Sequence, residues 1–106
     1  FDNIKAISHI TGGGLIGNLP RVLPSGLSAV INTDSWELQP IFSMIQAKGV
    51  DMLEMYHVFN MGLGMVLICE PDKADGLQAV IHDSNIIGEV VNQIDDRRVV
   101  FNPTIG

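Results

Sequence analysis

The sequence contains a single cysteine, Cys69, so neither an internal disulfide nor a cysteine-rich zinc site can form. Cys69 stands in the apolar run Met65-Val66-Leu67-Ile68-Cys69, where it reads as a small buried hydrophobe rather than a nucleophile. A reducing compartment, and hence the cytoplasm, is the expectation. Basic residues are also scarce. Six Lys and Arg against twelve Asp and Glu leave a net charge of -6. That balance argues against nucleic acid and anionic membrane surfaces, where clustered cations supply the affinity. No apolar run approaches the roughly 20 residues of a membrane span, and no basic-then-apolar signal segment opens the chain. Blocks of like charge stop at Asp95-Asp96 and Arg97-Arg98, so there is no charged tail. The three histidines, His9, His57 and His82, share no metal-like spacing, and no metal held by this segment is expected.

What is present suits one folded unit. A chain of 106 residues can build one core but not two. With 46% hydrophobic and 17% charged residues it reads as globular rather than disordered. It starts at Phe1 and enters a strand-like segment at once, which reads as a piece of a longer protein, residues 1–106 forming a single partial domain.

The pattern predicts a strand over Asn3 to Thr11, a short helical or irregular piece over Leu15 to Leu19, and a strand over Leu27 to Asn32. Pro20 and Pro24 forbid a long helix between them. Pro40 suits the first turn of a helix and Gly49 its end, with Leu38, Ile41, Phe42 and Ile45 as one apolar stripe. A second helix is expected over Asp51 to Phe59, with Asp51 as N-cap and Met52, Met55, Tyr56 and Phe59 on a common face. Gly64 to Glu70 reads as a central, doubly covered strand. Pro71 opens a third helix with Ala74, Leu77, Val80 and Ile81 on one side. Gly76 within it costs about 1 kcal/mol relative to Ala. Ile86 to Val91 and Arg98 to Phe101 read as strands joined by a turn at Gln93 to Asp96. The fold class is therefore α/β (α+β layered), with helices packed on a mixed sheet of about four to five strands.

The stretch richest in chemistry is His9-Ile10-Thr11-Gly12-Gly13-Gly14-Leu15-Ile16-Gly17-Asn18-Leu19-Pro20-Arg21. Consecutive glycines after a strand permit positive φ and let an anion approach bare backbone. Their N–H groups can converge into an anion-binding nest, and a following helix N-terminus adds favourable potential. Thr11 offers a hydroxyl, Asn18 an amide donor, and Arg21 a forked cation suited to phosphate. The plainer reading is a tight turn beside an ordinary surface arginine. The stretch is neither a P-loop nor a dinucleotide fingerprint. His9 is a candidate for bonding a substrate phosphate or moving a proton, against a structural histidine at a strand end. Downstream, Gly62 and Gly64 at a strand entrance permit close approach of backbone or ligand, and Asn60 reads as a left-handed helix cap. Trp36 can stack on a purine-like ring but more often anchors a loop, and Asp34 with Glu37 is a weak acid/base pair.

Taken together, His9-Ile10-Thr11-Gly12-Gly13-Gly14-Leu15, Asn18-Leu19-Pro20-Arg21, Ser35-Trp36, Pro40-Ile41-Phe42, Glu54-Met55-Tyr56, Phe59 to Met65, Ile87-Gly88-Glu89-Val90 and Arg98-Val99-Val100 resemble, in order and spacing, the aminoimidazole ribonucleotide synthetase family. The resemblance covers nearly the whole chain and corresponds to the C-terminal part of that family's C-terminal domain. One departure is Gly17, where the family often has an acidic residue before the Asn. The resemblance implies an ATP-dependent cyclo-ligase of purine biosynthesis that closes the imidazole ring of formylglycinamidine ribonucleotide. It implies a homodimer, with ATP and Mg2+ bound mainly by an N-terminal domain outside this segment. The segment would contribute His9 as a catalytic residue and Thr11, Gly12, Gly13, Gly14, Asn18 and Arg21 as a substrate-phosphate site, and would be inactive alone. The alternatives are a non-catalytic packing or regulatory module of the same fold, and another phosphate-handling enzyme of the superfamily.

Overall fold

Two apolar segments far apart in the chain pair first. In the computed structural model, which describes residues 4–93 and 95–105, β1 (Ile4–His9) lies antiparallel to β3 (Met65–Cys69), with His9 opposite Met65 and Ile7 opposite Leu67. A second sheet has the order β4-β2-β5. Its central strand β2 (Leu27–Asn32) runs antiparallel to β4 (Gly88–Asn92) and parallel to β5 (Val99–Asn102). The α/β layered class and the five strands agree with the sequence reading. The strands divide, however, into a two-stranded sheet and a three-stranded mixed one. The start expected for β1 at Asn3 lies outside the described residues.

Two strand expectations change. The segment ending at Cys69 is not central: β3 pairs with β1 alone, and Met65 is 59% exposed. Among the described residues no strand pairs with its second edge. Nor do β4 and β5 form a hairpin. They flank β2 on opposite sides, because β5 returns parallel to it. The intervening turn is pinned at Asp95, whose Oδ1 accepts from the Arg97 N–H at 2.9 Å. The neighbouring Ile94 lies outside the described residues.

Helices fill the space around the strands. The short α1 (Gly14–Asn18) continues into a 3-10 turn at Leu19–Val22, as the flanking prolines require. Helix α2 (Pro40–Ala47) begins at its proline and ends before Gly49, which takes φ +101°. Phe42 is buried and Ile45 half-buried, but Ile41 is 52% exposed and so leaves the expected stripe. Helix α3 (Met52–Val58) buries Met55 and Tyr56. Asp51 occupies its N-cap position without a side-chain capping bond. A 3-10 turn at Pro71–Lys73 precedes α4 (Ala74–Val80), which buries no residue.

The core gathers Ile10, Leu15, Leu19, Leu23, Ala29, Ile31, Phe42, Met55, Tyr56, Met61, Val66 and Phe101. Each large side chain here contributes about 1.5–3 kcal/mol by leaving water. Tyr56 is stacked obliquely on Phe101 with centroids 4.7 Å apart and meets the edge of Trp36 at 6.5 Å. The Arg98 guanidinium joins the start of β5 to the loop before β2. It donates to the carbonyls of Leu27 at 2.9 Å, Leu23 at 3.0 Å and Pro24 at 3.1 Å. Among the described residues no helix is long and apolar enough to cross a membrane.

Candidate functional site

The glycine stretch sits where β1 ends and α1 begins. Ile10 fixes its entry: the side chain is buried and its N–H donates to Gly64 O at 3.0 Å. Gly13 takes φ +103° and Gly14 φ +61°, which L side chains rarely adopt. The turn closes through Gly14 N–H to Thr11 O at 3.0 Å and Gly17 N–H to Gly13 O at 2.9 Å.

The three glycines differ in what they do. Gly14 is buried against α3, and a Cβ there would run into the Tyr56 carbonyl and lie 2.8 Å from Phe59 O. Its N–H is already bonded. Gly14 is therefore a packing glycine, which lets α1 touch the end of α3. Gly12 is exposed, with open space where a Cβ would sit. Among the described residues the N–H groups of Gly12 and Gly13 have no protein acceptor, so both are available to an outside ligand.

Asn18 has a different task from the one expected. It is only 5% exposed. Its Nδ2 donates to Gly14 O at 2.8 Å, Gly12 O at 3.3 Å and Thr11 O at 3.4 Å, while its Oδ1 accepts from Thr11 Oγ1 at 3.3 Å. An amide nitrogen has two hydrogens, so this one is fully engaged inside the protein. Arg21 lies exposed on the 3-10 turn after α1 and forms no ion pair among the described residues. His9 is exposed at the end of β1, three positions before Gly12. Helix α1 is too short for its dipole to add much at the loop. Gly17 is exposed with open space around it, so the acidic side chain it lacks would have filled no packing position.

Other residues singled out by sequence play supporting parts. The Trp36 Nε1–H donates to Met61 O at 3.1 Å, anchoring its loop to the core. Met61, at φ 55°, takes the left-handed position expected of Asn60. The Asn60 side chain instead accepts from Gly62 N–H at 2.9 Å in an Asx turn. Asp34 is exposed in a turn set by its N–H bond to Asn32 Oδ1, 3.1 Å. Burial, and then the Asp34 carboxylate, raise the Tyr56 phenol above its usual pKa. The Arg98 clamp escaped sequence reasoning, because a terminal-strand arginine looks like any surface cation.

A separate cavity of about 850 Å³ opens between the two sheets and α4, with Leu19, Val22, Leu63, Ile68, Leu77 and Ile81 among its walls. None of His9, Thr11 to Gly14, Asn18 or Arg21 lines it. Its size alone makes it conspicuous, but the free backbone donors lie at the glycine loop. Among the described residues no three His, Cys, Asp or Glu side chains converge as metal ligands.

Known proteins place this arrangement. Residues 1–100 match the family described as AIR synthase related protein, C-terminal domain. Similar curated proteins include a phosphoribosylformylglycinamidine cyclo-ligase of Bifidobacterium animalis subsp. lactis, 43% identical over 89% of this chain and 29% of the relative. Another, from Brevibacillus brevis, is 44% identical over 93% of this chain and 30% of the relative. A chloroplastic one from Arabidopsis thaliana is 45% identical over 84% of this chain and 24% of its own length. The chain thus spans less than a third of each of these relatives. A match over this much of the chain settles its membership: it belongs to the AIR synthase related protein family, as part of the C-terminal domain.

Proposed function

We propose that this chain forms the substrate-phosphate side of an ATP-dependent cyclo-ligase that converts formylglycinamidine ribonucleotide to aminoimidazole ribonucleotide in the cytoplasm. The observation that carries the reading is the pair of N–H groups on Gly12 and Gly13 without an acceptor among the described residues, with open space beside Gly12. Two adjacent unengaged backbone donors on glycines suit a phosphate monoester. The relatives' name, phosphoribosylformylglycinamidine cyclo-ligase, supplies a substrate with such a group. Arg21 adds an exposed cation, and Thr11 acts through Asn18, whose Oδ1 accepts its hydroxyl proton.

In this reaction ATP transfers its γ-phosphoryl group to the formyl oxygen, releasing ADP. An amidine nitrogen then attacks the activated carbon, inorganic phosphate leaves, and the ring closes. The loop's contribution is positioning. Anchoring the far end of the substrate converts an encounter into an aligned, effectively intramolecular attack. His9, exposed and separated from the glycines by Ile10 and Thr11, would contact substrate and take the proton lost from the attacking nitrogen. Among the described residues no three His, Cys, Asp or Glu side chains converge, and in this reading Mg2+ comes with the nucleotide. As the resemblance implies, ATP and Mg2+ would be bound mainly by other parts of the enzyme.

The test is a titration of the ¹⁵N-labelled chain with inorganic phosphate. The Gly12 and Gly13 amides are expected to shift saturably. Gly12→Ala, which meets no neighbour, is expected to keep the melting temperature while weakening that response. If neither amide moves at millimolar phosphate, the loop is only a turn and the packing-module alternative takes over.

A further inference from the structure

Asn18 lies under the glycine loop rather than facing solvent. The nearest atom to a Cβ built on Gly13 is Asn18 Nδ2, at 3.5 Å. That nitrogen gathers the carbonyls of Thr11, Gly12 and Gly14, and Oδ1 is held in place by the Thr11 hydroxyl. A trans peptide is planar, with its C=O and N–H on opposite sides. The carbonyl of Thr11 shares a peptide plane with the N–H of Gly12, and that of Gly12 with the N–H of Gly13. Drawing both oxygens onto one buried amide therefore turns both N–H groups the other way. They are the same two N–H groups that have no acceptor among the described residues.

We infer that Asn18 is the positioning residue of this loop: it holds the carbonyls inward so that the Gly12 and Gly13 N–H groups stay presented to a phosphate. The inference rests on the phosphate reading above and deepens it. Asn18 does not touch the anion. It determines which way two peptide planes face, and an acceptor in its place would release or reverse them. Its buried amide is satisfied wholly by the loop, so loop and side chain are ordered before any ligand arrives. Preorganised donors bind without the cost of reorienting.

The wild-type chain supplies the first test. In a titration with inorganic phosphate, the Gly12 and Gly13 backbone amides are expected to move while the Asn18 side-chain NH₂ keeps slow hydrogen exchange. Direct phosphate contact at that NH₂, seen as the largest shift in the spectrum, would overturn the positioning role. The second test compares Asn18→Asp and Asn18→Ala with Ile31→Val, which loosens the core away from the loop. Phosphate affinity is expected to fall roughly tenfold or more in either Asn18 variant, the scale of a lost charge-assisted bond, and to stay unchanged in Ile31→Val. If Asn18→Asp does not fold, Asn18→Ala carries the comparison, and the wild-type titration stands without either. Wild-type affinity in folded Asn18→Ala removes this inference alone. Absence of any phosphate response in the wild type removes the phosphate reading and this inference with it.

Discussion

Residues 10–66 and residues 67–100 are built from similarly apolar sequence and end in different states. The first stretch holds every buried hydrophobic residue except Phe101, including Leu15, Leu19, Met55 and Met61, which are almost wholly shielded. In the second stretch no described residue is buried, although β3 carries Leu67 and Ile68, α4 carries Leu77, and Ile81 follows α4. Apolar composition, then, is a capacity for burial rather than burial itself. It is realised where α1 packs against α3 and the 3-10 turn at Leu19–Val22, and left open around the cavity beside α4. The glycine loop belongs to the closed side, which is why its geometry is so fully determined.

Substitutions can sharpen this contrast. The largest effect is expected at Gly14→Ala, where a methyl meets the Tyr56 carbonyl at a φ of +61°. It should cost roughly 3 kcal/mol or more in urea unfolding. A loss under about 1 kcal/mol would show that α1 and α3 can move apart freely. Next, Met55→Ala should cost about 2–5 kcal/mol through a core cavity, while Leu77→Ala on half-buried α4 should cost less than about 1 kcal/mol. Equal losses at the two sites would erase the distinction between the regions. The smallest effect concerns pH. Burial and Asp34 favour the neutral Tyr56 phenol, so the folded chain keeps that proton to higher pH than the unfolded chain. The associated stability is fully present below pH about 10 and is lost as pH rises through the folded pKa. Tyr56→Phe should flatten stability against pH in that alkaline range. A curve of unchanged slope would mean that the phenol titrates alike in both states.

Much of the fold was legible because it depends on local patterns. Helix α2 begins at Pro40, and the Met52, Met55, Tyr56 and Phe59 face turns inward as its spacing predicts. Strand β2 spans Leu27–Asn32 as read. The glycine loop at the end of β1 was also visible, since three adjacent glycines leave few other uses. What sequence did not disclose depends on partners far along the chain. Covering β3 on one edge only, and placing β5 parallel to β2, are tertiary choices with no local signature. Asn18 was read as a donor to ligand because its polarity was plain and its burial was not. Gly14 looked like its two neighbours, although a contact some forty residues later in sequence, at Tyr56, sets it apart.

The two hydrogen-bond clamps also imply an order of events. The Asn18 bonds span four to seven residues of sequence. The Arg98 bonds span 71 to 75. Closing a longer loop costs more chain entropy, and contacts of high sequence separation slow folding. As the chain emerges during synthesis, the Asn18 bonds can form once Asn18 has appeared, before Tyr56 and Gly64 arrive to seat the loop. The Arg98 clamp must wait for nearly the whole segment. Thus the Asn18 bonds need only local chain, while the three-stranded sheet locks late, when a single guanidinium gathers three carbonyls from residues 23–27.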